Sequence, residues 1–365
     1  MGEWKRVKLG EICSRVCSGG TPRSNVAEYY DGGSIPWLNT KEVTFGRIYS
    51  TEKCITESGL ENSSAKWIEA NAVVVAMYGA TAGNVAITRI PLTTNQACCN
   101  LQINPEKADA DFVFYYLKWQ YHELCLLANG AAQQNLNAQV IKDFQIDLPD
   151  LPTQRRIAAV LGALDDKIEV NRKICENLEA QAQALFKAWF VDFEPFGGKR
   201  PEGWKMGKLG DVAAYYDGKI EATKLTTASY FSTENMLANR EGAVDAETVP
   251  QSGVVPLCVE GCVLVSNIRP YFKKILRVNC EGGHSPDVLC FKAKTLEWQW
   301  YLYRMLWDDA FFAYVMSSTK GTKMPRGDKG HIMDYPCVLP LANDIRKFND
   351  TLASLNGRIE VANRE

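Results

Sequence analysis

Histidine is scarce: the 365-residue chain carries three, His122, His284 and His331. Net charge is almost nil, with 41 Lys and Arg against 43 Asp and Glu. Long apolar runs are also missing. The stretch 72–78 is among the longest, far below the ~20 residues that span a bilayer. The opening MGEWKRVKLGE has no apolar core and is not read as a signal peptide. These absences exclude a membrane helix and point to the cytoplasm. Twelve cysteines include no C-x-x-C pair. Cys258 and Cys262 stand four apart, with no His or Cys pair nearby to complete a zinc tetrahedron. In a long chain without a leader, reduced thiols are expected. Near-neutrality excludes a highly basic architectural DNA protein, but not a local basic surface.

What is present is an ordinary globular mix, 46% hydrophobic and 23% charged. At roughly 150 residues per domain, two units and a connector are expected. The chain is also self-similar. Trp4-Lys5 and Lys8-Leu9-Gly10-Glu11 recur 200 residues later as Trp204-Lys205 and Lys208-Leu209-Gly210-Asp211. Residues 72–75 match 262–265 at an offset of 190, and Leu148-Pro149 matches Leu339-Pro340 at 191. One ordered series of matches implies two copies of a single unit with one early length change.

Each copy starts as a mixed α/β (α+β) domain. Residues 73–77 and 97–103 are apolar and β-branched, as in buried strands. Residues 111–127 and 297–316 read as aromatic-rich helices. Each copy then changes character. Residues 153–190 hold no proline and one glycine. Apolar residues recur at steps of four and three: Ile157, Leu161, Leu164, Ile168, Cys175, Leu178, Ala182, Leu185 and Trp189, with Asn171 in the open place. That is a coiled-coil seam. Pro152 and Thr153 supply its start signal, and at ~1.5 Å per residue it extends roughly 55–60 Å. The second copy repeats the seam at Phe348, Leu352, Leu355 and Ile359. The two helices are expected to pack together, antiparallel, as neither can leave its seam in water. The plainer alternative lays each helix on its own domain.

Catalytic patterns are absent: no G-x-x-x-x-G-K-S/T phosphate loop, no dinucleotide fingerprint after a strand, no nucleophile elbow. His122 fits helix packing or surface; His284 and His331 fall in polar loops, where exposure or a binding contact is expected. Basic clusters are more informative. Arg269, Lys273, Lys274 and Arg277 interleave with Tyr271 and Phe272, and Lys320, Lys323, Arg326 and Lys329 share a glycine-rich loop. The equivalent loop of the first copy, 130–137, is uncharged and rich in amides. Lys and Arg neutralise phosphates, Arg suits guanine and amides suit adenine, although a solvated surface has the same composition.

Taken together, Trp4 to Glu11, Ser18-Gly19-Gly20-Thr21-Pro22, Ile35-Pro36-Trp37-Leu38-Asn39, residues 79–84, Asn95-Gln96-Ala97, Ser266-Asn267-Ile268-Arg269-Pro270-Tyr271 and, above all, Leu151-Pro152-Thr153-Gln154-Arg155-Arg156-Ile157-Ala158 resemble the specificity subunit of type I restriction–modification systems. The resemblance covers nearly the whole chain. It implies two target recognition domains, 1–150 and 194–340, with a central coiled-coil helix at 151–193 and a C-terminal one at 341–365. Each domain would read half of a bipartite double-stranded DNA sequence, and the helices would set the spacing and dock methyltransferase and restriction subunits. The chain itself would not be an enzyme. S-adenosylmethionine, ATP and Mg would serve the partners, with no cofactor or metal here.

The contacts expected of the first domain are Thr21, Arg23, Asn39, Lys41, Thr81, Asn84, Gln96, Gln133 and Asn135. Those of the second are Asn267, Arg269, Lys273, Lys320, Lys323 and Arg326. The loops of Thr21, Asn39 and Gln96 are also read as structural turns. By the repeat offset the second helix stops early, at the equivalent of Ile174. The end of the central seam, Leu178, Leu185 and Trp189, is therefore expected to be covered by another chain, through self-association or by a methyltransferase helix. Rival readings are a coiled-coil scaffold that does not read DNA and the specificity module of a single-chain DNA-modifying enzyme.

Overall fold

The computed structural model describes residues 4–129, 135–319 and 324–364. It divides into two units, Met1–Ile168 and Glu169–Glu365. The division falls inside the central helix, Leu151–Phe190.

The repeated opening motif has a physical cause. In the first unit, Lys5–Lys8 pairs antiparallel with Gln145–Leu148. Leu9 is fully buried, Glu11 accepts from the Lys8 amide at 3.3 Å, and the Lys8 ammonium meets Asp143 at 2.8 Å. In the second unit, Lys205–Lys208 pairs with Pro336–Leu339. Leu209 is buried, Asp211 accepts from the Lys208 amide at 2.8 Å, and Lys208 meets Asp334 at 2.8 Å. The motif thus ties the start of each globular part to the strand that precedes its long helix.

Each core is built on one strand buried on both faces, as a continuous apolar run requires. Val73–Ala76 sits in a five-stranded sheet between Cys98–Ile103 and Val85–Thr88, with Cys13–Ser18 and Arg47–Ile48 at the edges. Val73 and Val75 face a cluster with Phe112, Val113 and Leu117, while Val74 and Ala76 face another with Leu38 and Ile68. Each such valine contributes on the order of 2 kcal/mol by leaving water. The equivalent strand of the second unit, Val263–Ser266, lies between Val288–Ala293 and Ile275–Arg277. There Val263 and Val265 pack among Tyr301, Leu302 and Phe311, and Leu264 packs among Phe231 and Met236.

The two aromatic helices are each broken in two. Ala110–Trp119 ends at Gln120 and Tyr121–Asn129 follows. Gln299–Trp307 and Asp309–Ser317 are separated at Asp308, whose carboxylate accepts from the Ala310 amide as an N-cap. Apolar periodicity continues across both breaks, so it could not reveal them.

The central helix begins where Asp150 accepts from the Thr153 amide at 2.8 Å. Its first half packs on the first unit. Gln154 is buried, donating to the Pro149 carbonyl at 2.7 Å and accepting from the Asp109 amide at 2.9 Å. Ile157 and Leu161 join the core. Gly162 leaves room for the Arg47 guanidinium, which reaches its carbonyl at 3.1 Å and pairs with Asp166. Its second half packs in the second unit, through Leu178, Ala182, Phe186 and Phe190. The helix Ala342–Arg364 runs antiparallel to that half: Phe348 contacts Phe190 at a centroid distance of 4.9 Å, and Arg304 links Asn356 to Glu179. Phe348, Leu352 and Ile359 are buried, with Leu355 against the same core.

This corrects the expected bare end of the seam. Leu178 is buried, and Leu185 and Trp189 lie against the second unit's core. Antiparallel pairing puts the start of the second helix against the end of the first, whereas a repeat offset compares them as if parallel. The apolar seam residues left in water are instead Leu164 and Ile168, 57% and 55% exposed. Asn171 is half-buried.

Arg304 is fully buried, and its charge is compensated by Glu179. Removing one partner of a buried pair costs about 3–5 kcal/mol. Glu179→Ala should therefore lower the urea midpoint of the second unit strongly. Arg346→Ala, which removes an exposed contact to Glu297 at 3.8 Å, should change stability by less than about 1 kcal/mol.

Candidate nucleic-acid interface

Strand register decides which loops meet. In the first unit Ser18 pairs with Cys99, Ala76 with Cys98, and Val75 with Val85. The loops after 18 and 76, and those before 85 and 98, therefore emerge at one end. A three-stranded sheet adds to it: Leu38 pairs in parallel with Thr94, so residues 39 and 95 follow side by side. Hydrogen bonds join the loops, with the Gly20 amide donating to the Thr94 carbonyl at 2.8 Å and the Asn95 amide to the Leu38 carbonyl at 2.9 Å.

Thr21, Arg23, Asn39, Lys41, Thr81, Asn84 and Gln96 consequently share one edge. Thr21 donates to the Gln96 side chain, and both are exposed, as is Arg23. Asn39 caps a short 3-10 turn, accepting from the Lys41 amide at 3.4 Å. Lys41 pairs with Glu52 at 2.6 Å, which raises its pKa. Thr81 donates to the Tyr78 carbonyl at 3.4 Å. Asn84 is turned inward and donates to the Val43 carbonyl at 2.9 Å, so it ties two loops together. Asn135 is exposed and bridged to Tyr78. Gln133 lies outside the described residues.

The second unit repeats the arrangement. Ser266 pairs with Val288 and Val265 with Ile275. The Asn267 amide donates to the Asp287 carbonyl at 2.8 Å, as the Met77 amide does to Ala97 in the first unit, also at 2.8 Å. Ile268 bridges Arg326 as Tyr78 bridges Asn135. Asn267 is buried, and its Oδ1 has no hydrogen-bond partner among the described residues, so its side chain is not presented at the outer surface of the edge. Arg269 is half-buried and holds a left-handed φ of +49°, where the first unit has Gly79 at +72°. Lys273 is tied to Asp309 at 2.8 Å; together with Arg240 it holds that carboxyl below its ordinary range. Arg326 is exposed and pairs with Asp287 at 2.9 Å. Lys320 and Lys323 lie outside the described residues.

Three features depart from the sequence reading. Lys274 occupies the place of Asn84 and donates to the Thr233 carbonyl at 2.6 Å, so it too is a tie between loops. Asp287 is the partner of Arg326; comparison of positions 97 and 287 across the repeat was the available signal. His284 is not in an open loop: it is buried in the strand Gly282–His284. Its Nδ1 lies 2.9 Å from the Ser285 carbonyl, and burial lowers its pKa, favouring the neutral ring. His331 stacks on Tyr314 at 4.2 Å. Among the described residues, no group of three His, Cys, Asp or Glu is placed to hold a metal ion.

The edges are rigidly supported. A Cβ on Gly19 would lie 2.0 Å from the Thr94 carbonyl oxygen. Gly19→Ala should separate the Thr21 and Gln96 loops and lower the thermal midpoint, whereas Thr21→Ala should leave it within a few degrees. Thermal melts monitored by circular dichroism check both.

Comparison with known proteins follows the same outline. Residues 1–180 match the family described as type I restriction modification DNA specificity domain. The MjaIX type I restriction enzyme specificity subunit of Methanocaldococcus jannaschii is 32% identical over 232 residues, covering 59% of this chain and 53% of that protein. The EcoR124I/EcoR124II specificity subunit of Escherichia coli is 29% identical over 168 residues, 45% of this chain and 41% of that one. The chain spans about half the length of these curated relatives in the matched regions. In fold, it is similar to the crystal structure of the type I restriction–modification S subunit from M. genitalium, with a TM-score of 0.58, 15% identity, and coverage of 100% of this chain and 92% of that one.

Proposed function

We propose that the chain, whose residues 1–180 match the type I restriction modification DNA specificity domain, is a specificity subunit of that kind, a non-catalytic adaptor that reads double-stranded DNA. Each unit reads one half of a bipartite sequence. The long helices set the separation and dock methyltransferase subunits and, in the full complex, restriction subunits. S-adenosylmethionine, ATP and Mg then serve the partners' chemistry. The site of action is the cytoplasm; among the described residues no helix is long and apolar enough to cross a membrane.

One observation carries this reading. Matching strand ends gather polar loops at one edge of each unit, while the side chains on those loops differ between units. A scaffold has no need of such a difference. Two readers of different half-sites do: a shared framework positions the loops, and the loop residues choose the bases. Net charge near zero also fits an adaptor whose partners supply much of the positive surface around DNA. For docking, the exposed Leu164 and Ile168 offer the apolar contact that the seam's far end does not.

Arg269→Gly separates the cation from the fold. Glycine suits the left-handed backbone, so the unit should stay folded. Assembled with methyltransferase subunits, the variant should bind target duplex more weakly, with a salt slope lower by about one phosphate contact. Anisotropy titrations over a salt series test this; affinity of the wild-type assembly that ignores both salt and DNA sequence would favour the scaffold. Leu164→Glu with Ile168→Glu should weaken capture of the methyltransferase subunit without lowering the thermal midpoint. Undiminished capture would count against that docking face.

A further inference from the structure

Among the differences between the two edges, one pair of neighbouring positions changes together. In the first unit Tyr78 bridges Asn135, and the Met77 amide donates to the Ala97 carbonyl. In the second unit Ile268 bridges Arg326, and the Asn267 amide donates to the Asp287 carbonyl. Asn135 therefore corresponds to Arg326, and Ala97 to Asp287. The two changes belong together. Where the first unit has an amide, its neighbour is alanine; where the second has a guanidinium, its neighbour is a carboxylate 2.9 Å away.

An exposed Arg–Asp pair contributes little to stability. Arg326 is 56% exposed and Asp287 40% by side chain, so stability does not account for the pair. Orientation does. A carboxylate oxygen takes one N–H of the guanidinium and fixes the long side chain, leaving other donors of the planar fork outward. A fork held in that way matches the O6 and N7 acceptors of guanine in the major groove. Asparagine is shorter, and its amide pairs a donor nitrogen with an acceptor oxygen, which matches adenine N6 and N7.

Resting on the DNA-reading function above, we infer that Arg326, positioned by Asp287, reads a guanine in the half-site of the second unit, and that Asn135 reads an adenine at the corresponding place in the half-site of the first. Arg326 is the base-contacting residue; Asp287 is a positioning residue that acts through it. The described framework is shared, so the difference in base follows from the paired substitution.

The test selects bound sequences from a library of randomised duplexes, using the full chain assembled with methyltransferase subunits. The wild type should yield a bipartite motif with at least one guanine in one half and one adenine in the other. Arg326→Gln should relax one position of a single half-site, losing about tenfold or more in discrimination, and leave the other half unchanged. Asp287→Ala should blur that same position, and Asp287→Glu should restore it; a purely structural role would weaken every position alike. The double variant Ala97→Asp with Asn135→Arg should turn an adenine of the other half into guanine. A bipartite wild-type motif that Arg326→Gln leaves intact at every position overturns the inference while sparing the proposed function. A wild-type assembly that selects no motif overturns the proposed function itself.

Discussion

The structure depends on one strand in each unit being buried on both faces. A strand with apolar side chains on both faces is held by close packing from two sides, so its place is fixed by the core. In the first unit this strand is Val73–Ala76; in the second it is Val263–Ser266. Everything at the polar edge follows from where these strands stop. Their neighbours are antiparallel and begin or end at the same level. Loops distant in sequence, such as 19–23 and 95–97, are thereby brought together without needing strong contacts of their own. Evolution of the loop side chains is left free of the core, which is what reading different sequences demands.

The long helix is held by a different principle. Its first half is fastened to one unit by Ile157 and Leu161 at the core and by polar contacts from Gln154 and from the Arg47 guanidinium seated beside Gly162. Its second half is fastened to the other unit by aromatic packing around Phe186, Phe190 and Phe348, with one compensated charge at Arg304. Rings of this kind bury large areas and stack with definite geometry, so the end of the helix is set against its own unit. Leu164 and Ile168 lie between these two anchors and keep the seam's apolar character in water.

The duplication, the mixed α/β class and the long helix were legible because each leaves a periodic mark: a fixed offset, an apolar run, a 3–4 repeat. The antiparallel pairing was legible too, but its consequence was not. A repeat offset carries no direction, so Leu178, Leu185 and Trp189 read as bare, whereas the fold covers them and leaves Leu164 and Ile168 in water. The helix breaks at Gln120 and Asp308 were hidden because apolar spacing continues through them. At the edges, residue type signalled polarity and not direction. Asn84 and Lys274 have the composition of DNA contacts, yet both turn inward to backbone carbonyls. His284 sits in a polar stretch of sequence but in a buried strand of the fold. Asp287 became meaningful only beside Arg326, a pairing that joins residues 39 positions apart.

The central claim is that two related units read two separate half-sites. Mapping adenine methylation across a genome, in cells expressing this chain with its methyltransferase subunit, tests it most directly. The account predicts methylated adenines confined to one bipartite motif, two short specified blocks separated by a fixed number of unspecified base pairs. Methylation confined to a single uninterrupted motif, or the same pattern with and without the chain, would contradict it.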